Sequence, residues 1–213
     1  MNICRCNVQA FLTMAFLALA PAVGRADGET EAQRLVRTHA TERYNVPVTG
    51  YSIRAGGGMT SVNAPLAVVR QTLTDYGHYS QFMPRFQKSR IVGKTGAFTD
   101  VYLQVAILHG AANVWAVTRF GPPVPEGTGE RIEGKLEGQG NVDDLRATWH
   151  LYPVDAGHTV VKLELLIVPK LPLPGSIVTP ELEFASDQAV SATRDRAEAK
   201  SGGTAQESDA ASN

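Results

Sequence analysis

Most of this chain is written in period two. Residues 100–108 (DVYLQVAIL) put Val101, Leu103, Val105 and Ile107 on one face. Residues 145–152 (LRATWHLY) set Leu145, Ala147, Trp149 and Leu151 together. Residues 159–168 (TVVKLELLIV) turn Val161, Leu163, Leu165 and Ile167 one way and Lys162 and Glu164 the other. Residues 130–138 (ERIEGKLEG) alternate as cleanly around Ile132 and Leu136. Successive side chains on a strand point to opposite faces, so such runs predict antiparallel strands with one wet face. Residues 87–92 and 113–120 (NVWAVTRF) add two more, and residues 51–65 predict a strand or hairpin broken by the glycines at 56–58. The total is six or seven antiparallel strands.

Helical spacing appears in three other places. Residues 65–74 (PLAVVRQTLT) open with Pro65, a favoured residue at a helix start, and carry Leu66, Val69 and Leu73 at i, i+3 and i+7. A second short helix is predicted near residues 79–83, stopped by Pro84. Residues 176–198 lack internal glycine and carry Val178, Leu182, Ala185, Ala189 and Ala192 as a stripe, which predicts the longest helix. Residues 29–44 predict a short amphipathic helix ended by Pro47, so residues 27–48 form a helical extension outside the main domain of residues 49–200. Residues 201–213 (SGGTAQESDAASN) are small and polar and are expected to be a disordered tail.

Residues 8–23 break both patterns, being almost wholly apolar behind Arg5. Their core, residues 10–20, has the length of a signal-peptide apolar region and is short for a bilayer span. Gly24 and Ala26 fit a small-x-small cleavage site, so residues 1–26 read as a signal peptide cut after Ala26; the alternative is an uncleaved membrane anchor. The expected location is periplasmic or secreted. Cys4 and Cys6 both lie in this leader, so the cut chain would hold no disulfide, thiolate nucleophile or cysteine-bound metal.

Composition narrows the classes. The 213 residues suit one domain with flanking segments. They are 43% hydrophobic and 19% charged, which excludes disorder over the whole length. Twenty Lys and Arg against 21 Asp and Glu give no basic excess, so no nucleic-acid partner is expected.

The order of elements and one segment point to a family. In SVNAPLAVVRQTLTDYGHYSQFMPRFQKSRIV, the residues Pro65, Leu73, Asp75, Tyr79, Phe82 and Pro84 stand where the START/SRPBCC superfamily has its opening pattern. The stretch LPLPGSIVTPELE, leading into the long helix, also fits. The chain resembles the polyketide cyclase and coenzyme Q-binding branch of that superfamily over roughly residues 51–200. The resemblance implies an α+β helix-grip fold, in which a curved antiparallel sheet wraps a long C-terminal helix, and an apolar cavity between the two. Fold alone does not fix function.

The inward stripes then supply candidate ligand contacts: Val101, Leu103, Val105, Trp115, Val117, Trp149, Leu151, Leu163 and Leu165 from strands, and Leu182, Ala185 and Ala189 from the helix. Arg119 shares a face with Trp115 and Val117, and if that face is inward it can bind a carboxylate or carbonyl; the other face of the same strand would leave it in solvent. Burying ~400 Å² of apolar ligand is worth ~10 kcal/mol gross. Association costs of at least ~4 kcal/mol leave affinity in roughly the tens of micromolar.

Motifs for catalysis are weak. The sequence has no G-x-S-x-G, H-E-x-x-H, Walker or G-x-G-x-x-G phosphate motif, and its five histidines lack metal-like spacing. No catalytic residue, metal or cofactor is assigned. The first expectation is an exported carrier of a hydrophobic small molecule such as a lipid, sterol or quinone. The LPLP loop at residues 171–174 would be a gate capable of transient membrane contact. The alternatives are a cyclase/dehydratase-type enzyme on a polyketide-like substrate, or an interaction module whose cavity has filled. Ligand identity and oligomeric state stay open.

Overall fold

A computed structural model of the chain describes residues 30–210, with the side chains of 109 and 203–210 left aside. The 1–26 leader and its cleavage site lie outside the described residues. The strands are β1 (Thr41–Val46), β2 (Ala55–Val62), β3 (Phe86–Thr95), β4 (Phe98–Ile107), β5 (Ala112–Phe120), β6 (Val124–Glu126), β7 (Gly129–Gly140), β8 (Val142–Pro153) and β9 (Thr159–Pro169). They form one curved, open antiparallel sheet in the order β1-β2-β9-β8-β7-β5-β4-β3, with β6 beside β7. The helices are α1 (Glu31–Thr38), α2 (Leu66–Leu73), α3 (Tyr79–Phe82) and α4 (Gly175–Ala210). The long helix α4 lies across the concave side against β2, β1 and β9, and this is the helix-grip arrangement.

Nine strands form where six or seven were expected, and the two additions have physical reasons. The predicted helix over 29–44 stops at Thr38, where His39 turns left-handed at φ 50°. The next residues, TERYNV, carry Thr41, Tyr44 and Val46 and become β1, pairing with β2 from Thr41–Thr60 to Val46–Ala55. The segment placed outside the main domain is thus an edge of its sheet. The second addition, β6, lies in the proline-rich loop and pairs Val124 with Arg131 of β7. As a three-residue edge strand it tolerates Pro125, which has no N–H to donate. Helix α4 also runs to Ala210, so the backbone of residues 201–210, expected as disordered tail, is helical.

The glycines at 56–58 do not break a strand. They sit inside β2 because neighbours on both faces come too close for a side chain. A Cβ on Gly56 would stand 2.2 Å from the backbone nitrogen of Glu183, and one on Gly58 would stand 2.7 Å from the backbone of Ser186. Helix α4 therefore rests on bare β2 backbone, and Ser186 donates its hydroxyl to the Gly56 carbonyl at 3.1 Å. On the opposite face the Tyr44 ring covers Gly57. From β1, Arg43 donates Nε to Asp187 at 2.8 Å, fastening the helix from the side.

Two packed regions flank the space under α4. Near α2 and α3, Val62, Val69, Leu73, Tyr76, Tyr79, Val101, Ile132, Leu151 and Val161 form one core. Near the start of α4, Ile53, Val142, Leu145, Leu166, Val178 and Leu182 belong to the other.

Candidate ligand cavity

Between these regions the sheet and α4 do not meet, and an apolar cavity of about 110 Å³ remains. The larger packed region supplies its floor. Tyr79, Phe120, Trp149 and Leu163 line it there and are 2 to 4% exposed. Phe120 stacks on Tyr76 at 4.4 Å, and Tyr79 donates its hydroxyl to the Leu73 carbonyl at the end of α2. Burial pushes the Tyr79 phenol well above its ordinary pKa, so it stays a protonated donor. Leu108 and Leu173 line the opposite end and are partly exposed, forming a rim.

The rim also carries an ion pair. Arg85 donates Nη1 to Glu181 of α4 at 2.8 Å, with both side chains mostly covered, and its guanidinium lies 4.7 Å from the Phe184 ring centre. Arg85 holds a left-handed backbone at φ 68°, uncommon without glycine. Its own carbonyl accepts from the Ala106 N–H at 3.0 Å, which ties this turn to β4.

Eight of the expected contacts line this cavity: Leu103, Val105, Trp149, Leu163, Leu165, Leu182, Ala185 and Ala189. Val101 and Leu151 share the inner face but lie fully buried in the packed region, beyond the cavity wall. Trp115, Val117 and Arg119 are on the other face of β5. There Trp115 stacks with Tyr102 at 5.9 Å, and Arg119 donates Nε and Nη2 to Asp100 at 2.7 and 2.9 Å. Its third contact, Nη1 to Glu137, is 2.8 Å. The hydrogen bonds and charge of Arg119 hold the Asp100 carboxyl below its usual range. Arg119 is therefore a member of an outer ion-pair cluster rather than a head-group anchor.

Strand β5 was ambiguous because NVWAVTRF is apolar on both faces. Register decides it. Asp100 stands opposite Arg119, while Val101 stands opposite Thr118 and Leu103 opposite Ala116. Val114, Ala116, Thr118 and Phe120 are accordingly the β5 residues on the cavity wall. Arg85, Glu181 and Gln188 also line it and carried no local signal in the sequence. Two grooves of about 490 and 540 Å³ open on the surface, the second sharing Pro84 and Gln188 with the cavity wall; their walls include Glu42, Arg43, Lys162, Asp187 and Arg196, as expected of solvated surface. Among the described residues no cluster of His, Cys, Asp or Glu is placed to hold a metal ion.

A family model described as polyketide cyclase / dehydrase and lipid transport matches residues 62–194, from the end of β2 into α4. The chain belongs to the polyketide cyclase/dehydrase and lipid transport family. No functionally curated protein matches it. Solved structures share the fold of this family member at low identity. A STAR-related lipid transfer protein from Xanthomonas axonopodis is 18% identical, covering 74% of this chain and 93% of its own, with a TM-score of 0.64. Human StAR-related lipid transfer protein 5 is 8% identical, covering 74% and 82%, with a TM-score of 0.62. An aromatase/cyclase from Streptomyces is 15% identical, covering 76% and 94%, with a TM-score of 0.54. The matched span contains every residue that lines the cavity.

Proposed function

We propose that this chain is an exported carrier that holds a hydrophobic molecule between α4 and the sheet. The observation that carries this reading is the wall: aliphatic and aromatic side chains from five strands and two helices face a common space. Desolvation supplies the attraction, at ~25 cal/mol per Å² of apolar ligand surface removed from water. Sites for drug-sized ligands hold ~300–1,000 Å³, so at about 110 Å³ this cavity takes a sterol-, quinone- or acyl-sized guest only as the rim moves aside. Leu171 and Ile177, 51% and 46% exposed beside the rim residue Leu173, would touch a membrane during loading. The apolar run at residues 8–23 supports export.

The family description and the aromatase/cyclase neighbour favour a second reading, an enzyme that folds a polyketide-like substrate in the same space. It ranks lower because the one carboxylate on the described wall, Glu181, is held by Arg85. An interaction module with a filled cavity ranks below both, since the space is present.

The test is full-length expression in a Gram-negative host, isolation from the periplasm, and native followed by denaturing mass spectrometry. A mass starting at Asp27 with an adduct lost on denaturation is expected. Ala185→Leu, which fills the cavity from α4, should abolish uptake of the neutral probe N-phenyl-1-naphthylamine while leaving Tm unchanged or raised. A bare protein in which neither wild type nor variant takes up the probe would overturn carriage.

A further inference from the structure

Two polar atoms on the cavity wall have no partner in the protein. Thr118 is fully buried, and its Oγ1 accepts and donates nothing. Gln188 of α4 turns a buried Oε1 that is also unpaired. Both residues line the cavity, one from the sheet and one from the helix. An unpaired polar group buried in an apolar setting is costly, so native structures rarely keep one without a use. The other hydrogen-bonding wall groups are already engaged where the structure shows them: Tyr79 with Leu73, and Arg85 with Glu181.

We infer that Thr118 and Gln188 are polar stations for a neutral hydroxyl on an otherwise apolar guest, so that the ligand is a hydrophobic alcohol or phenol rather than a hydrocarbon, ether or fatty acid. The argument is one of complementarity. The Gln188 oxygen as placed takes a donor, which a ligand offering only carbonyl or ether oxygens does not supply. The Thr118 hydroxyl takes either role. A ligand hydroxyl both donates and accepts, so it satisfies whichever station it meets. A carboxylate would bring a full charge to a wall whose only described cation, Arg85, is already paired. The inference rests on the carrier reading and deepens it by naming the ligand's functional group.

The experiment compares 1-dodecanol, 1-methoxydodecane and dodecane as displacers of N-phenyl-1-naphthylamine from the wild-type protein and from Thr118→Val, Thr118→Ser and Gln188→Met. The wild type should favour the alcohol over the alkane by roughly tenfold or more, with the ether nearer the alkane. Thr118→Val and Gln188→Met should each shrink that preference several-fold without weakening alkane binding. Thr118→Ser, which keeps the hydroxyl, should retain it. Thermal unfolding of the unliganded variants should be unchanged or higher, because a buried unpaired group has been removed. Equal displacement by all three compounds from a wild type that binds the probe overturns the hydroxyl assignment and leaves the carrier standing. A wild type that does not bind the probe overturns both.

Discussion

At the scale of single residues, Arg119 separates a charged side chain that touches ligand from one that only decorates the sheet. Its guanidinium is spent on Asp100 and Glu137 outside the cavity. Arg119→Ala should therefore leave uptake of a neutral probe unchanged, with little effect on Tm, as for exposed ion pairs generally. Its signature is in titration. Asp100 is held below the ordinary carboxylate range, so its ion pair favours the folded state above the unfolded pKa and is lost as pH falls through the folded one. Carboxyl NMR of Asp100 should show that low pKa, and Arg119→Ala should return it to the usual value. No part of this was legible from NVWAVTRF alone, because two apolar stripes competed and only pairing with β4 distinguishes them. By contrast Leu163, Leu165, Leu182, Ala185 and Ala189 were legible, since their strand or helix has one apolar stripe. Thr118 and Gln188 were not, because an unpaired polar atom becomes visible only once its neighbours are placed.

At the scale of elements, the contact between α4 and β2 controls the space beneath the helix. Gly56 and Gly58 let two backbones touch where any side chain would collide with Leu182, Glu183 or Ser186. A methyl at Gly58 cannot be relieved by rotating a side chain, because the atoms it meets are main chain. Gly58→Ala should cost at least ~2 kcal/mol, lowering Tm by about 5–10 °C in calorimetry, whereas Gly77→Ala, at a position with open space, should change it little. The glycine run was visible in the sequence and pointed to a break; its meaning depended on a helix about 130 residues downstream, as the Ser186–Gly56 bond shows. Strand β1 was hidden for a similar reason: TERYNV is too polar to announce itself and becomes a strand by pairing with β2. The long strands and α2 were legible because their spacing alone defines a buried face.

At the scale of the whole molecule, one end of the cavity is closed by α2, α3 and the rings of Tyr76 and Tyr79, and the other ends in loops. Leu171 and Ile177 are the exposed apolar side chains nearest that rim in sequence. If they meet a membrane, Leu171→Asp and Ile177→Asp should slow transfer of a fluorescent sterol between vesicles about tenfold each while leaving its equilibrium affinity unchanged. An equal loss of rate and affinity would place both residues in the binding wall instead. The two open edges of the sheet, β1 and β3, are guarded differently. Arg43 and Asn45 of β1 reach α4, while β3 carries Lys88, Arg90 and Lys94 and two irregularities in its pairing with β4, features that discourage strand addition.

The pairing of β2 with β9 also sets an order of assembly. Thr159 reaches the Ala64 carbonyl across 95 positions of chain, and β2 has no second neighbour besides β1 until that stretch exists. Wherever the chain folds, the first hairpin has an unfilled hydrogen-bonding edge and a bare glycine face until β9 pairs with it and α4 covers it, so the grip closes last.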